Sequence, residues 1–117
     1  MNLKLETRTA NGITVIACHG RIMFGEEANA LRDTLRQALT NTNKVVVNLA
    51  EVNHIDSGGM GTLVGLCSAA RKNGADIKLA GLGKRLRDVL RTTKLATILE
   101  VYDTEEEATA AMQQGAG

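Results

Sequence analysis

The spacing of apolar residues changes several times along this chain, and each change marks an element. Leu3 to Arg8 and Ile13 to Cys18 alternate apolar and polar residues, the period of a half-buried strand. Between them lies Asn11-Gly12, a pair that accepts positive backbone φ at little cost, so a β-hairpin is predicted. From Glu26 to Leu39 the period becomes helical: Ala28, Leu31, Leu35, Ala38 and Leu39 share one face, while Arg32, Arg36 and Gln37 take others. Glu26 and Glu27 suit the positive end of that helix's dipole. Val45-Val46-Val47-Asn48-Leu49 is β-branched and almost continuously apolar, as expected of a central strand covered on both faces.

After a short loop, Met60, Leu63, Val64, Cys67 and Ala70 return to helical spacing, and Asn73-Gly74 is a stop signal. Ile77 to Ala80 reads as a short strand, Leu82 to Thr92 as a helix with Leu86, Val89 and Leu90 inward, and Ile98 to Tyr102 as another strand. The tail closes with a helix that Thr104-Glu105-Glu106-Glu107 opens as a capping box. A hairpin followed by alternating helices and strands needs crossover connections, usually right-handed. The expected fold is therefore α/β: one domain over residues 1–117, a mixed sheet flanked by about four helices.

Composition narrows the function classes. Apolar residues make up 44% and charged residues 23%, with a formal net charge of +1, so no general attraction to polyanions or anionic membranes is built in. One Phe, one Tyr and no Trp leave no aromatic platform for stacking nucleic-acid bases, and no direct nucleic-acid partner is expected. The two cysteines, Cys18 and Cys67, sit among apolar residues without the spacing of a zinc site, a redox motif or a disulfide framework. No apolar run reaches membrane-spanning length, and the first residues alternate instead of forming a signal-peptide core. The expected location is the cytoplasm, without membrane insertion.

The densest chemical feature is Asn53-His54-Ile55-Asp56-Ser57-Gly58-Gly59-Met60-Gly61, at the junction between the central strand and the helix beginning near Ser57. It puts a hydroxyl at a helix N-terminus, where free amides and the dipole favour a bound or attached anion and glycines let another surface approach. The same residues also fit a plain structural role, with Asp56 or Ser57 as N-cap and the glycines relieving packing. Other chemistries fail on spacing. Gly83-Lys84 lacks the upstream glycine of a phosphate-binding loop, and Gly59-Met60-Gly61 meets Val64 where a dinucleotide fingerprint needs glycine. Neither His19 nor His54 has metal-ligand company, since the adjacent Cys18 and His19 point to opposite faces of a strand. A Ser57-His54-Asp56 triad is sterically awkward within so short a segment.

In its full context this motif resembles the signature of STAS domains: an apolar strand (Val45 to Leu49), Asp-Ser-Gly-Gly (Asp56 to Gly59), a small-residue helix, then Ile77-Lys78-Leu79-Ala80-Gly81. Gly20-Arg21-Ile22 is similar to the Gly-x-Leu/Ile element that family members carry after the hairpin. The resemblance covers nearly the whole chain in the family's order. In the family's anti-sigma factor antagonists, the serine directly after the aspartate is phosphorylated by a partner that is both kinase and anti-sigma factor; that position is Ser57.

What the resemblance implies is partner switching by a protein that is not itself an enzyme and needs no cofactor or metal. The unphosphorylated form binds the ATP-dependent anti-sigma factor serine kinase and frees the sigma factor; phosphorylation abolishes binding until a serine phosphatase reverses it. The implied partner-binding surface comprises Asp56, Ser57, Gly58, Gly59 and Met60, with Arg21 and Met23, and leaves room for a weak homodimer. The alternative within the family is a regulatory or scaffold subunit of a signalling or lipid-transport complex without a phosphate switch.

The chain departs from the family pattern twice. Gly58 stands where Ser or Thr is often found, and Met23-Phe24 stands where Asp commonly follows the Gly-x-Leu/Ile element; that pair is either an apolar contact patch or buried under the first helix. Lys84, Arg87, Arg91 and Lys94, with Arg85 nearby, form a basic stripe that reads either as a solvated helix face or as a contact for an acidic partner.

Overall fold

The computed structural model describes residues 2–92 and 99–114. The expectations for Lys94, for Ile98 and for the side chain of Val89 fall outside what is described. The hairpin consists of β1 (Leu3–Ala10) and β2 (Ile13–Ile22), antiparallel, with Ala10 opposite Ile13. Its two-residue turn has φ of 56° at Asn11 and 77° at Gly12, the pair of positive angles that matches the twist of the flanking strands. There follow α1 (Glu26–Leu39), β3 (Lys44–Ile55), α2 (Ser57–Lys72), β4 (Asp76–Ala80), α3 (Lys84–Arg91), β5 (Glu100–Tyr102) and α4 (Glu105–Gln114).

The five strands form one sheet in the order β1-β2-β3-β4-β5, antiparallel between β1 and β2 and parallel from β2 onward. β3 is central, as its unbroken apolar run demands. Alternation along it separates two cores. Val45, Val47 and Leu49 pack with Leu31 and Leu35 of α1, Leu63 and Cys67 of α2 and Leu90 of α3. Val46, on the opposite face, packs with Ile13, Val15, Ala80 and the buried Ala108 and Met112 of α4. Parallel strands laid down in sequential order by crossovers of one hand put successive helices on the same face, so α1 to α3 gather on one side and α4 alone closes the other.

Several boundaries differ from the sequence expectation. Both hairpin strands run longer, so Gly20-Arg21-Ile22 lies within β2 instead of after the hairpin. β3 continues through Ile55, where a loop was expected after Leu49: its second half pairs with β2 alone, because β4 stops opposite Asn48. With one edge unpaired, Glu51, Asn53 and His54 are exposed and polar, which gives a strand the look of a loop. α3 begins at Lys84, two residues later than expected, with Leu82 buried before it.

On the α4 side, Lys78 is buried with its ammonium 2.9 Å from Asp76 Oδ1 and 3.1 Å from Glu100 Oε2. Burial alone would lower its pKa; the hydrogen bonds and charges of both carboxylates outweigh that and raise it. Asn48 donates to Glu105 Oε1 at 3.0 Å and so ties β3 to the start of α4. Thr104 caps that helix, its hydroxyl accepting the Glu107 N–H at 3.1 Å, as the capping-box reading anticipated.

Candidate functional site

The ends of β2 and β3 bring the segment before α1 against the first turn of α2. Asp56 has extended backbone (φ −85°, ψ 175°), and its Oδ1 accepts the Gly59 N–H at 2.6 Å, which makes Asp56 the N-cap. Ser57 is the first helical residue and is exposed. Of the two capping readings open in the sequence, the aspartate takes the role, and Ser57 stands exposed at the positive end of α2.

The glycines divide by function. A Cβ on Gly59 would lie 2.1 Å from the Ile22 carbonyl oxygen, so the buried Gly59 permits the close approach of β2 to α2. A Cβ on Gly58 would lie 2.5 Å from Phe24 Cβ and 2.8 Å from its Cγ. Gly58 is thus the floor on which the Phe24 side chain rests. Gly61 and Gly65 face open space, where the helix surface beyond Ser57 is bare backbone.

Two carboxylates pin the segment that carries Phe24. The Phe24 N–H donates to Asp56 at 3.0 Å (Oδ1) and 3.1 Å (Oδ2), and the Met23 N–H donates to Glu27 Oε1 at 3.2 Å. The other Glu27 oxygen accepts from the Asn2 N–H at 2.7 Å and from Arg21 Nε at 3.3 Å. Hydrogen bonds from Gly59 and then Phe24 hold the Asp56 carboxyl below its usual range, with the charge of His54 adding a little. For Glu27, burial pushes upward, but the bonds from Asn2, Arg21 and Met23 prevail and its pKa is also lowered.

All seven residues expected at the partner surface come from these neighbouring segments. Ser57 and Arg21 are exposed, Arg21 being paired with Glu27; Asp56, Gly58, Met23 and Met60 are half-buried, Met60 against the main core; Gly59 is buried. Of the Met23-Phe24 pair, the residue facing solvent is Phe24, 75% exposed. Glu27 was legible only as a dipole partner; its finer signal was its position four residues before Leu31 and eight before Leu35, in line with the buried stripe of α1.

Elsewhere, Lys84, Arg85 and Arg91 are exposed on α3, while Arg87 pairs with Asp103. Cys18 and Cys67 are free and buried, and burial pushes both thiols up to about 12, against a small opposing effect of Arg71 on Cys67. Among the described residues no cluster of His, Cys, Asp and Glu is placed to hold a metal ion, and no helix is long and apolar enough to cross a membrane.

A mixed sheet with one antiparallel hairpin, three helices on one face and a serine at the start of the helix after the central strand define a small α/β domain of one recognisable kind. The STAS domain profile matches residues 4–108, and the chain belongs to that family. Among curated proteins it is similar to the anti-sigma-B factor antagonist of Staphylococcus epidermidis, 29% identical over 91% of this chain and 98% of that one.

Among solved structures its fold resembles a candidate anti-sigma factor antagonist from Thermotoga maritima (TM-score 0.81, 21% identity, 93% of this chain and 94% of that one). It also resembles the Bacillus cell fate determinant SpoIIAA in its phosphorylated form (TM-score 0.71, 18% identity, 93% of this chain and 99% of that one). A segment of the murine anion transporter Slc26a9 shares the fold as well (TM-score 0.75, 12% identity), 97% of this chain matching 22% of that one.

Proposed function

We propose that this protein is an anti-sigma factor antagonist that works by partner switching. Through its STAS domain it binds an anti-sigma factor serine kinase while Ser57 is unmodified; the kinase uses ATP to phosphorylate Ser57, the complex dissociates, and a serine phosphatase restores the binding form. The protein itself performs no catalysis. The observation that carries this reading is the exposed Ser57 at the first position of α2, its capping duty taken by Asp56, in a chain whose curated relative is named an anti-sigma-B factor antagonist.

The physics supports the direction of the switch. A phosphoryl group brings about −1.5 to −2 charges and strong acceptor oxygens. In the free protein, the amides and dipole of α2 accommodate it in solvent. In a docked interface the same charge must be desolvated beside the Asp56 carboxylate, which opposes association. No unfolding of the domain is needed for that veto.

The test is incubation with the cognate kinase and ATP, followed by site mapping. Phosphate on Ser57, and none on the Ser57→Ala variant, is the expected result; modification confined to other residues would remove the basis of the proposal. The fold shared with a segment of Slc26a9 favours a second reading, a regulatory subunit of a transport assembly. That reading predicts co-purification with transport subunits, indifferent to Ser57→Ala and Ser57→Asp.

A further inference from the structure

Phe24 is the one large apolar side chain left exposed among the described residues. A single exposed apolar residue is ordinary on a protein surface. What separates Phe24 from that background is how firmly it is held and where.

Its backbone N–H is fixed by both oxygens of Asp56, and the Met23 carbonyl before it accepts the Ala28 N–H at 3.1 Å. After it, Gly25 supplies a φ of 103° that a residue with a side chain rarely adopts, and the Gly25 carbonyl accepts the Asn29 N–H at 2.8 Å. The base of the side chain rests on the Cα of Gly58, in a space that any side chain at that position would fill. An aromatic residue at 75% exposure is therefore presented on a rigid mount, the condition under which burial by a partner loses least to ordering.

Gly58 directly follows Ser57. A protein surface that docks over the exposed Ser57 therefore has the exposed ring, seated on the next residue, beside its footprint.

We propose that Phe24 is the apolar anchor of the docking surface, and that its occupant is an apolar pocket on the same anti-sigma factor kinase that modifies Ser57. This rests on the partner-switching reading and deepens it. Aromatic residues fixed at the centre of an interface commonly dominate its affinity. Anchor and switch are joined through Gly58, so burial of the ring and a charge on Ser57 fall within one docking footprint.

The experiment uses the full chain and the purified anti-sigma serine kinases of the source organism, each assayed singly. Dissociation constants are measured for wild type and for Phe24→Ala, Phe24→Leu and Phe24→Glu, with thermal unfolding to confirm that each variant is folded. Phe24→Ala is expected to weaken binding by about 30-fold or more. Phe24→Leu should retain an intermediate affinity and Phe24→Glu the least. The phosphorylation rate of Phe24→Ala should fall at low concentration and recover at saturation, because the ring binds and does not react.

If Phe24→Ala binds within about threefold of wild type while Ser57→Asp abolishes binding, the anchor is refuted and the switch survives. If the wild-type chain neither binds nor is phosphorylated by any of these kinases, the switch fails and the anchor falls with it.

Discussion

The N–H of Phe24 donates to both carboxylate oxygens of Asp56, at 3.0 and 3.1 Å, while one of those oxygens also accepts the Gly59 N–H at 2.6 Å. One carboxylate therefore caps α2 and fixes the segment before α1, joining residues 32 positions apart. Its pKa is lowered by these bonds, as is that of Glu27 by its own. A carboxyl depressed in the folded state contributes stability that is fully present above its unfolded value, about 4, and is lost as pH falls through the lower folded value. Urea midpoints should accordingly fall below about pH 4, and Asp56→Asn should flatten that acid limb while lowering the neutral plateau. An acid limb unchanged by Asp56→Asn and by Glu27→Gln would contradict the assignment.

Gly58 and Phe24 should be energetically coupled. A side chain on residue 58 meets Phe24 at Cβ, so rotating the ring cannot relieve the overlap and the backbone must shift. Gly58→Ser is expected to cost about 1–3 kcal/mol. The exposed Phe24→Ala should change stability by no more than about 0.5 kcal/mol. In a double-mutant cycle by urea denaturation, Phe24→Ala should recover only part of the Gly58→Ser loss, because alanine removes the ring contacts at 2.8 Å and keeps the Cβ that makes the nearest one at 2.5 Å.

Gly61 and Gly65 give the opposite sign. A Cβ at either position meets nothing within 4 Å, and glycine inside a helix is destabilising relative to alanine. Gly61→Ala should therefore stabilise the fold by about 0.5–1 kcal/mol in thermal or chemical denaturation. If the bare backbone beside Ser57 serves partner approach, the same substitution should weaken kinase binding.

Met112 tests the division of the core. It is fully buried on the face that α4 alone covers, so Met112→Ala should cost about 2–5 kcal/mol in urea denaturation. Ser57 lies at the start of a helix on the other face, so on the proposed function its phosphorylation by the kinase, at a temperature where the variant remains folded, should be unchanged.

Much of this fold was legible from periodicity because the elements concerned have both their neighbours and their faces covered. α1 begins at Glu26 and ends at Leu39 as its apolar stripe predicts, and the continuous run around Val46 placed β3 at the centre of the sheet. Legibility failed where covering fails. The second half of β3 is paired on one edge only, so its polar residues imitate a loop. At the site, the Asp56-Ser57-Gly58 junction could be found from residue types alone. The bonds that Phe24 donates to Asp56 and that Asn2 and Met23 donate to Glu27 could not, because they join segments that only the completed sheet brings together. Residue types left the Met23-Phe24 pair open between contact patch and burial; in the fold Met23 is half-buried and Phe24 exposed.

The most direct test is a pair of dissociation constants for one kinase, measured with the chain unmodified and with phosphoserine installed at position 57. The account predicts tight binding for the first and a loss of about 30-fold or more for the second, with both forms equally folded. Equal affinity of the two forms would contradict it.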